Sequence, residues 1–391
     1  MKNYDDMTAV IDEITERFHE ELIAYSDDAH DHPEIGMEEF RAAGNIKKIM
    51  EDHGWQVEMP FGGYDTGFLA TYGEGGRSHK VAIMAEYDAL PEVGHACGHC
   101  VSGAISDLAA IAMTDLQDDL DTDIHLMGTP AEESYGAKVA YVMQDIFDSY
   151  DAAIMIHMDD KNVVAPVLRA VSGGMITFHG KSAHASAAPW DGINALNAAQ
   201  LFLHGIDMMR QHVTPDVQFQ SIIRNGGVVP GIVPEEATVL IGWRCAKAAD
   251  LAHLESIARN CAEGAALMTG CTVDIATEPI GYYDIKPNPT GAAAFEEVYA
   301  ELGIETVPAP GYWAASDVGN ASYKCPALQP TLKLVPLGTA LHTKAVEEAC
   351  KSDLGHEDIK VGARILARWI AKVYSDPERA AGVKADFAAD L

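Results

Sequence analysis

The stretch VAIMAEYDALPEVGHACGHCVSGAISDLAAIAM, residues 81 to 113, runs from an apolar segment through a loop dense in His, Cys and acidic residues into a second apolar segment. VAIMAE has the length and polar boundaries of a buried strand, and SGAISDLAAIAM those of a buried helix. A strand, a loop of ligand-type side chains and a helix make the repeating unit of an α/β sheet, where sites form beyond the carboxyl ends of strands. The apolar runs GFLATY (67–72), DIHLMG (123–128) and AAIMIH (152–157) extend that pattern to either side. Two amphipathic helices precede it. Met7, Val10, Ile11, Ile14, Phe18, Leu22 and Ile23 share one face of the first, and Phe40, Ile46, Ile49 and Met50 mark a second that stops at Gly54.

Near residue 170 the pattern changes. GGMITFHG, NALNAAQLFLHGIDMMRQH, FQSIIRNG, ATVLIGWRC, ADLAHLESIARNCAEGAALM and CTVDIAT follow in the order strand, helix, strand, strand, helix, strand. That βαββαβ order is ferredoxin-like. Val239, Ile241 and Trp243 alternate onto one face, as in a sheet covered by helices on one side. Residues 170–280 therefore read as an insertion. After the Pro/Gly-rich crossing IGYYDIKPNPTG the α/β pattern resumes with a helix over 291–302, the strand ALQPTLKLV and a long helix near 356–374. The expected fold is a discontinuous α/β domain with a mixed sheet, 1–169 and 281–391, carrying a ferredoxin-like insert. The Ala/Asp-rich tail AAGVKADFAADL is expected to fray.

A chain of 391 residues with 48% hydrophobic content can build two cores. Its formal charge of −32 repels nucleic acid and anionic membrane. Any anionic ligand then needs a locally positive site. The N-terminus is acidic and amphipathic rather than signal-like, and no apolar run is long enough to span a bilayer, so a cytoplasmic location is expected. Seven scattered cysteines argue for reduced thiols.

Three strand ends carry ionisable groups: Glu86 and Asp88, Glu132 and Glu133, and His157. In HACGH, Cys97 and His99 stand two apart, so an extended segment would point both the same way, and thiolate with imidazole suits zinc and similar ions. Cys97 and Cys100 also form a C-x-x-C pair, which leaves a redox dithiol or ordinary thiols open. The redox reading wants a helix N-terminus in a thioredoxin-like unit, and no such unit surrounds the pair. In GTPAEES, neighbours on an extended segment face different ways, so one carboxylate can hold a metal while the other acts as a base. A metal supports that chemistry by lowering the pKa of the water it binds to roughly 7. Glu pairs on their own are usually solvated. His157 and His342, the latter in PLGTALHTK, are separately unremarkable histidines. With Cys97, His99 and Glu133 they complete five ligands, a number suited to two metals roughly 3.5–4 Å apart. From the insert come His184 in a small-residue loop, Asn225 before a Gly pair, and the strand-borne Arg244. Turn chemistry and a surface cation account for the last two equally well.

The ordered motifs HDHPEIGMEEF, AEYDALPEVGHACGH, GTPAEES, IHM, GKSAHASAAPWDGINALNA, NGGVVPGIVPEEA, SDVGN and PLGTALHTK, spread over about residues 30–345, resemble one family. It is that of the binuclear-metal amidohydrolases and carboxypeptidases, with hippurate hydrolase, bacterial aminoacylases, auxin-conjugate hydrolases and aminobenzoyl-glutamate hydrolase. The resemblance implies two divalent ions per subunit, Zn2+ or Mn2+, on Cys97, His99, Glu133, His157 and His342, with the Cys97 thiolate bridging. It makes Glu132 the catalytic base and Asp88 a carboxylate supporting the site. His184, Asn225 and Arg244 would hold the substrate carboxylate and the oxyanion from an inserted lid that also forms a homodimer.

This chain departs from the pattern in having Cys100 where relatives carry Asp or Asn, and Glu86 where many carry Asp. EYDALP followed closely by GHACGH looks closest to the dipeptidase and aminobenzoyl-glutamate side of the family. The expected activity is hydrolysis of an amide joining an acyl or aminoacyl group to an amino acid with a free carboxylate. A dipeptidase for unusual dipeptides, and a thiol redox or metal-storage protein using Cys97 and Cys100, are the alternatives.

Overall fold

Asn3 opens the first helix, α1 (Tyr4–Asp31), by accepting the Asp6 N–H at 2.9 Å while the Asp6 carboxylate accepts the Asn3 N–H, a reciprocal cap. The structure is a computed structural model describing residues 2–278, 280–311 and 314–389, and the chain divides into two units, Met1–Val167 with Ile285–Leu391, and Leu168–Asp284. In the first unit α1 is followed by α2 (Phe40–Asp52), β1 (Gln56–Glu58), β2 (Phe68–Thr71), β3 (His79–Ala85), α3 (His99–Met113), α4 (Gln117–Leu120), β4 (Thr122–Gly128), α5 (Ala137–Met143), β5 (Ala152–Ile154) and β6 (His157–Asp159). Phe40, placed by its spacing on the apolar face of α2, is instead 59% exposed, because it is the first helical residue and Ala42, Ala43, Ile46 and Met50 make the buried stripe.

The second unit holds β7 (Ala170–His179), α6 (Ala195–Met209), β8 (Gln218–Asn225), β9 (Glu236–Cys245), α7 (Leu251–Thr269) and β10 (Thr272–Thr277). Its sheet runs β10-β7-β9-β8 with every neighbouring pair antiparallel. Val239, Ile241 and Trp243 lie buried in one core with residues of α6 and α7, whereas Met175, Ile222 and Leu240, cross-strand neighbours, are exposed.

The chain completes the first unit with α8 (Pro289–Glu301), α9 (Val318–Ala321), β11 (Ala327–Leu328), β12 (Thr331–Lys333), α10 (Lys344–Cys350), α11 (Asp353–Tyr374) and α12 (Pro377–Ala388). The main sheet has the order β1-β2-β4-β3-β5-β11 and is mixed: β3 is parallel to β4 and β5, while β2 is antiparallel to β4. Along β3, Val81, Ile83 and Ala85 enter the core of α1, α3 and α11, whereas Ala82 and Met84 enter a separate core with Tyr141 and Phe147. Burial of both faces explains why β3 reads as an uninterrupted apolar run.

AAIMIH and ALQPTLKLV, each expected as one strand, are each two. β5 pairs β11 and β6 pairs β12, both in parallel, on either side of a shared break. Pro330 has no N–H to give the ladder, although its carbonyl still accepts the His157 N–H at 3.1 Å. His157 is thereby the first residue of β6. The tail does not fray within the described residues. Asp376 caps α12 by accepting the N–H groups of Glu378 and Arg379, Pro377 pre-sets the first turn, and Val383 is buried.

Candidate metal centre

Gly98 has φ +82°, a left-handed conformation, and α3 begins immediately after it at His99. The expected extended HACGH segment is therefore a turn into a helix, and that turn brings Cys97 and His99 together. His99 Nδ1 lies 3.0 Å from Asp88 Oδ1 and 3.1 Å from the Asp88 carbonyl, which assigns a hydrogen to Nδ1 and leaves Nε2 as the nitrogen that can face a metal. His157 Nδ1 is 2.7 Å from the Met158 carbonyl, which likewise leaves Nε2 as the donor atom, 3.4 Å from Cys97 Sγ. His342 is held by its N–H to the Ala96 carbonyl at 2.9 Å and places Nε2 3.3 Å from Glu133 Oε1.

Glu132 and Glu133 lie in a turn rather than on the extended segment their spacing had implied. Ala131, at φ +61°, accepts the N–H groups of Ser134, Tyr135 and Gly136. Glu39 accepts the Ala131 N–H at 2.8 Å, and Asp88 Oδ2 accepts that of Glu133 at 2.9 Å. The two side chains share one neighbour and differ in the rest. Both group with His99, while Glu133 also groups with Cys97 and His342, and Glu132 with buried Glu86 and Asp317.

Donor atoms of Cys97, His99 and His157 lie within 4.8 Å of one another, as do those of Cys97, Glu133 and His342. The Cys97 sulfur is common to both groups. Among the described residues His99 Nε2 and Glu133 Oε1 are buried without a hydrogen bond, each only 3.3 Å from an ion-pair neighbour, Glu86 and His342, and a thiolate, imidazoles and a carboxylate are the donor set of divalent transition metals. Residues present thus fit a cation in each group. Burial opposes charge on Glu133, but His342, His99 and Cys97 outweigh it and hold the carboxyl at about 2. Burial, then the charges of Glu86 and Asp317, push the Glu132 carboxyl well above the ordinary range.

The C-x-x-C pair does stand at a helix N-terminus, a position its spacing had not indicated. Its thiols nonetheless meet different surroundings. Cys97 joins the donor groups, while Cys100, fully buried, belongs to the apolar core with Tyr25 and Ile105 and borders Cys350. Both are free thiols.

His184, Asn225 and Arg244 belong to the second unit. His184 Nδ1 faces the N–H groups of Ser186 (3.3 Å) and Ala187 (3.2 Å), which assigns its hydrogen to Nε2. Asn225 makes turn contacts, accepting the Gly227 N–H at 3.1 Å and donating to Glu236 at 3.2 Å. It also lines a cavity of about 640 Å³ with His179, Ser182, Ile232 and Glu236. Arg244 is half-buried, its Nε has no hydrogen-bond partner, and burial followed by neighbouring Arg169 lowers its pKa.

Lys138, Asp317 and Glu39 carry structural weight at the centre without having been singled out from sequence. Lys138 was legible as a lone charge in the apolar helix AKVAYVM, and Asp317 stands in SDVGN, a motif to which no role was attached.

The chain is 32% identical to the Xaa-Arg dipeptidase of Mus musculus, over 97% of this chain and 91% of that one. It is 25% identical to a subunit of the p-aminobenzoyl-glutamate hydrolase of Escherichia coli (strain K12), over 94% and 92%. The crystal structure of the Bacillus subtilis YXEP protein, a dinuclear metal-binding peptidase of the M20 family, superposes with a TM-score of 0.70 at 20% identity, covering 92% of this chain and 99% of that one. Residues 82–372 match the model of peptidase family M20/M25/M40, and the chain belongs to that family as a metal-dependent amide-bond hydrolase.

Proposed function

We propose that the chain hydrolyses the amide joining an acyl or aminoacyl group to an amino acid with a free carboxylate. The observation that supports this reading is the donor set that shares Cys97, with buried Glu132 offering an oxygen within 4.8 Å of the donors His99 and Glu133 and also grouping with Glu86 and Asp317. Cys97, His99, Glu133, His157 and His342 would hold two divalent ions, Zn2+ or Mn2+, with Cys97 shared. When bound, such ions polarise a carbonyl and make water a stronger acid. Asp88 fixes the tautomer of His99 and the backbone of Glu133 together, so it orients one ligand from each group. Glu132 takes the proton of the attacking water on its carboxylate and returns it to the leaving nitrogen. His184 offers its Nε2 hydrogen to the developing oxyanion, and Arg244, with Asn225, receives the substrate carboxylate.

The second unit serves in this reading as a ferredoxin-like lid that closes over the substrate and pairs two copies as a homodimer. Its exposed Met175, Ile222 and Leu240 support the pairing. Free thiols throughout support a cytoplasmic location. A dipeptidase is the second reading, favoured by the Xaa-Arg dipeptidase of Mus musculus, which aligns over nearly the whole chain.

The test is a panel of N-acyl amino acids, aminobenzoyl-glutamate and dipeptides given to protein loaded with manganese or zinc, with free amino acid followed by mass spectrometry. Chelator-sensitive release is expected. Preference for a free α-amino group over its acylated counterpart would select the dipeptidase. Glu132→Gln with bound metals and wild-type turnover would overturn the base assignment.

A further inference from the structure

Lys138 stands in the first turn of α5, and none of it reaches solvent. Its ammonium lies 2.7 Å from Glu86 Oε1 and 2.7 Å from Asp317 Oδ1, and its backbone N–H donates to Asp317 Oδ2 at 3.1 Å. Asp317 therefore grips the lysine at both ends. Glu86, Glu132 and Asp317, all buried, each offer an oxygen within 4.8 Å of the other two. Three carboxylates this close repel strongly where little water screens them, and a buried ammonium without partners is equally costly. Each resolves the other's cost. Glu132 adds to the charges that support Lys138.

This cluster adjoins the proposed metal donors. The second oxygen of Glu86 sits 3.3 Å from His99 Nε2, so a line of contacts runs from Lys138 through Glu86 to a proposed ligand. The turn bearing Glu132 is pinned before the doublet by Glu39 and within it by Asp88, and beyond it Lys138 is the next side-chain anchor.

We infer that Lys138 is a positioning residue for the reaction, its ammonium occupying a cation site formed by Glu86, Glu132 and Asp317 and holding Glu132 where it takes the water proton. The inference rests on the reading of Glu132 as the base. Lys138→Ala removes stem and charge but leaves the three carboxylates around a gap that an ammonium ion fits. Lost apolar packing would not be restored by such an ion.

The experiment compares metal-loaded wild type and Lys138→Ala in ammonium chloride and in tetramethylammonium chloride of equal ionic strength, reading both the thermal midpoint and the kinetics. The expected variant keeps two metal equivalents and a KM within about 3-fold, while kcat falls about 100-fold, the lower end of what a well-placed general base contributes. Ammonium then raises its midpoint and recovers kcat about 10-fold or more; tetramethylammonium does neither, and wild type responds to neither salt. If wild type hydrolyses nothing in the panel, the proposed function fails, while ammonium-selective stabilisation of the variant still supports the cation site. Wild-type kcat in Lys138→Ala, or losses that ammonium relieves in neither readout, would overturn the inference. Should Lys138→Ala fail to fold, Lys138→Met fills the gap without a charge: lowered kcat at constant KM supports the inference, and unchanged kcat overturns it.

Discussion

Replacing Gly98 by alanine tests the turn that brings Cys97 and His99 together. At φ +82° an L side chain costs about 1–2 kcal/mol. The new Cβ would also fall 2.8 Å from Cβ and Cγ of Met158, whereas Leu334 Cδ2 at 3.6 Å is an ordinary contact. Met158 is fully buried, so relief requires repacking, at about 1–3 kcal/mol for overfilling a tight core. The two costs together come to about 2–5 kcal/mol. Because the strained residue lies between two proposed ligands, the cost is expressed largely as their displacement, and metal binding weakens from about 30-fold to a few thousand-fold. Competition against a chelator of known affinity measures this directly, with thermal unfolding of the metal-free protein as the control for general damage. Adding Met158→Ala removes the contact with Cγ but leaves the contact with Cβ and the backbone strain, so it restores at most a small part of the affinity. Wild-type metal affinity in Gly98→Ala would refute the claim that the left-handed turn sets the site.

Cys97→Ala is expected to lose both metal equivalents, because its sulfur is common to the two donor groups, whereas His342→Ala loses one; elemental analysis after desalting distinguishes them. Cys100→Ala should keep both metals and full turnover, with unfolding showing a loss of about 1–2 kcal/mol for the cavity left by a buried sulfur; loss of activity with metals bound would revive a thiol role. Asp358, buried beside Glu357, has its carboxyl pushed up to about 8 by burial first and that charge second. Unfolded chain releases this proton near the ordinary 3.8, so the folded state holds more protons between the two values and stability falls as pH rises through them. Asp358→Asn should therefore stabilise the protein at pH 7, by at most about 4 kcal/mol, and the gain should vanish below about pH 4 in denaturant titrations.

What could be read from the chain alone depended on whether a signal was local. Val81 to Ala85 announced a strand because both faces are buried, and Val239, Ile241 and Trp243 announced a one-sided sheet by alternation. Glu132 and Glu133 were expected to face different ways on an extended segment; in the turn after Ala131 both instead group with His99, and they differ only in that Glu133 also meets Cys97 and His342 and Glu132 also meets Glu86 and Asp317. Period-two reasoning likewise paired Cys97 with His99 but missed that α3 starts between Gly98 and Cys100. Lys138 and Asp317 stand 179 residues apart, and no periodicity or spacing reports a contact of that separation. A buried ion pair becomes visible only when the helices that carry its partners are placed.

Charge accounting at the centre leads to a kinetic distinction. With every group ionised, Glu86, Asp88, Glu132, Glu133, Asp317 and the Cys97 thiolate carry six negative charges, and Lys138 with two divalent ions would leave about one negative charge. In the proposed reading a substrate carboxylate gains no net attraction from such a pocket, and its recognition would fall to cations elsewhere in the chain. Among the described residues Arg244, half-buried, has Nε unpartnered and Arg169 rather than a carboxylate as its charged neighbour, so no ion pair there has to break when an anion arrives. Binding made there is present in ground state and transition state alike, whereas placement of Glu132 matters only as the proton moves. Arg244→Ala should accordingly raise KM by about 10–100-fold with kcat nearly unchanged, and substrates lacking the carboxylate should be indifferent to the change. Lys138→Ala has the opposite signature. If Arg244→Ala instead lowers kcat at constant KM, the guanidinium acts on the reacting atoms, and the substrate carboxylate must be held by another group.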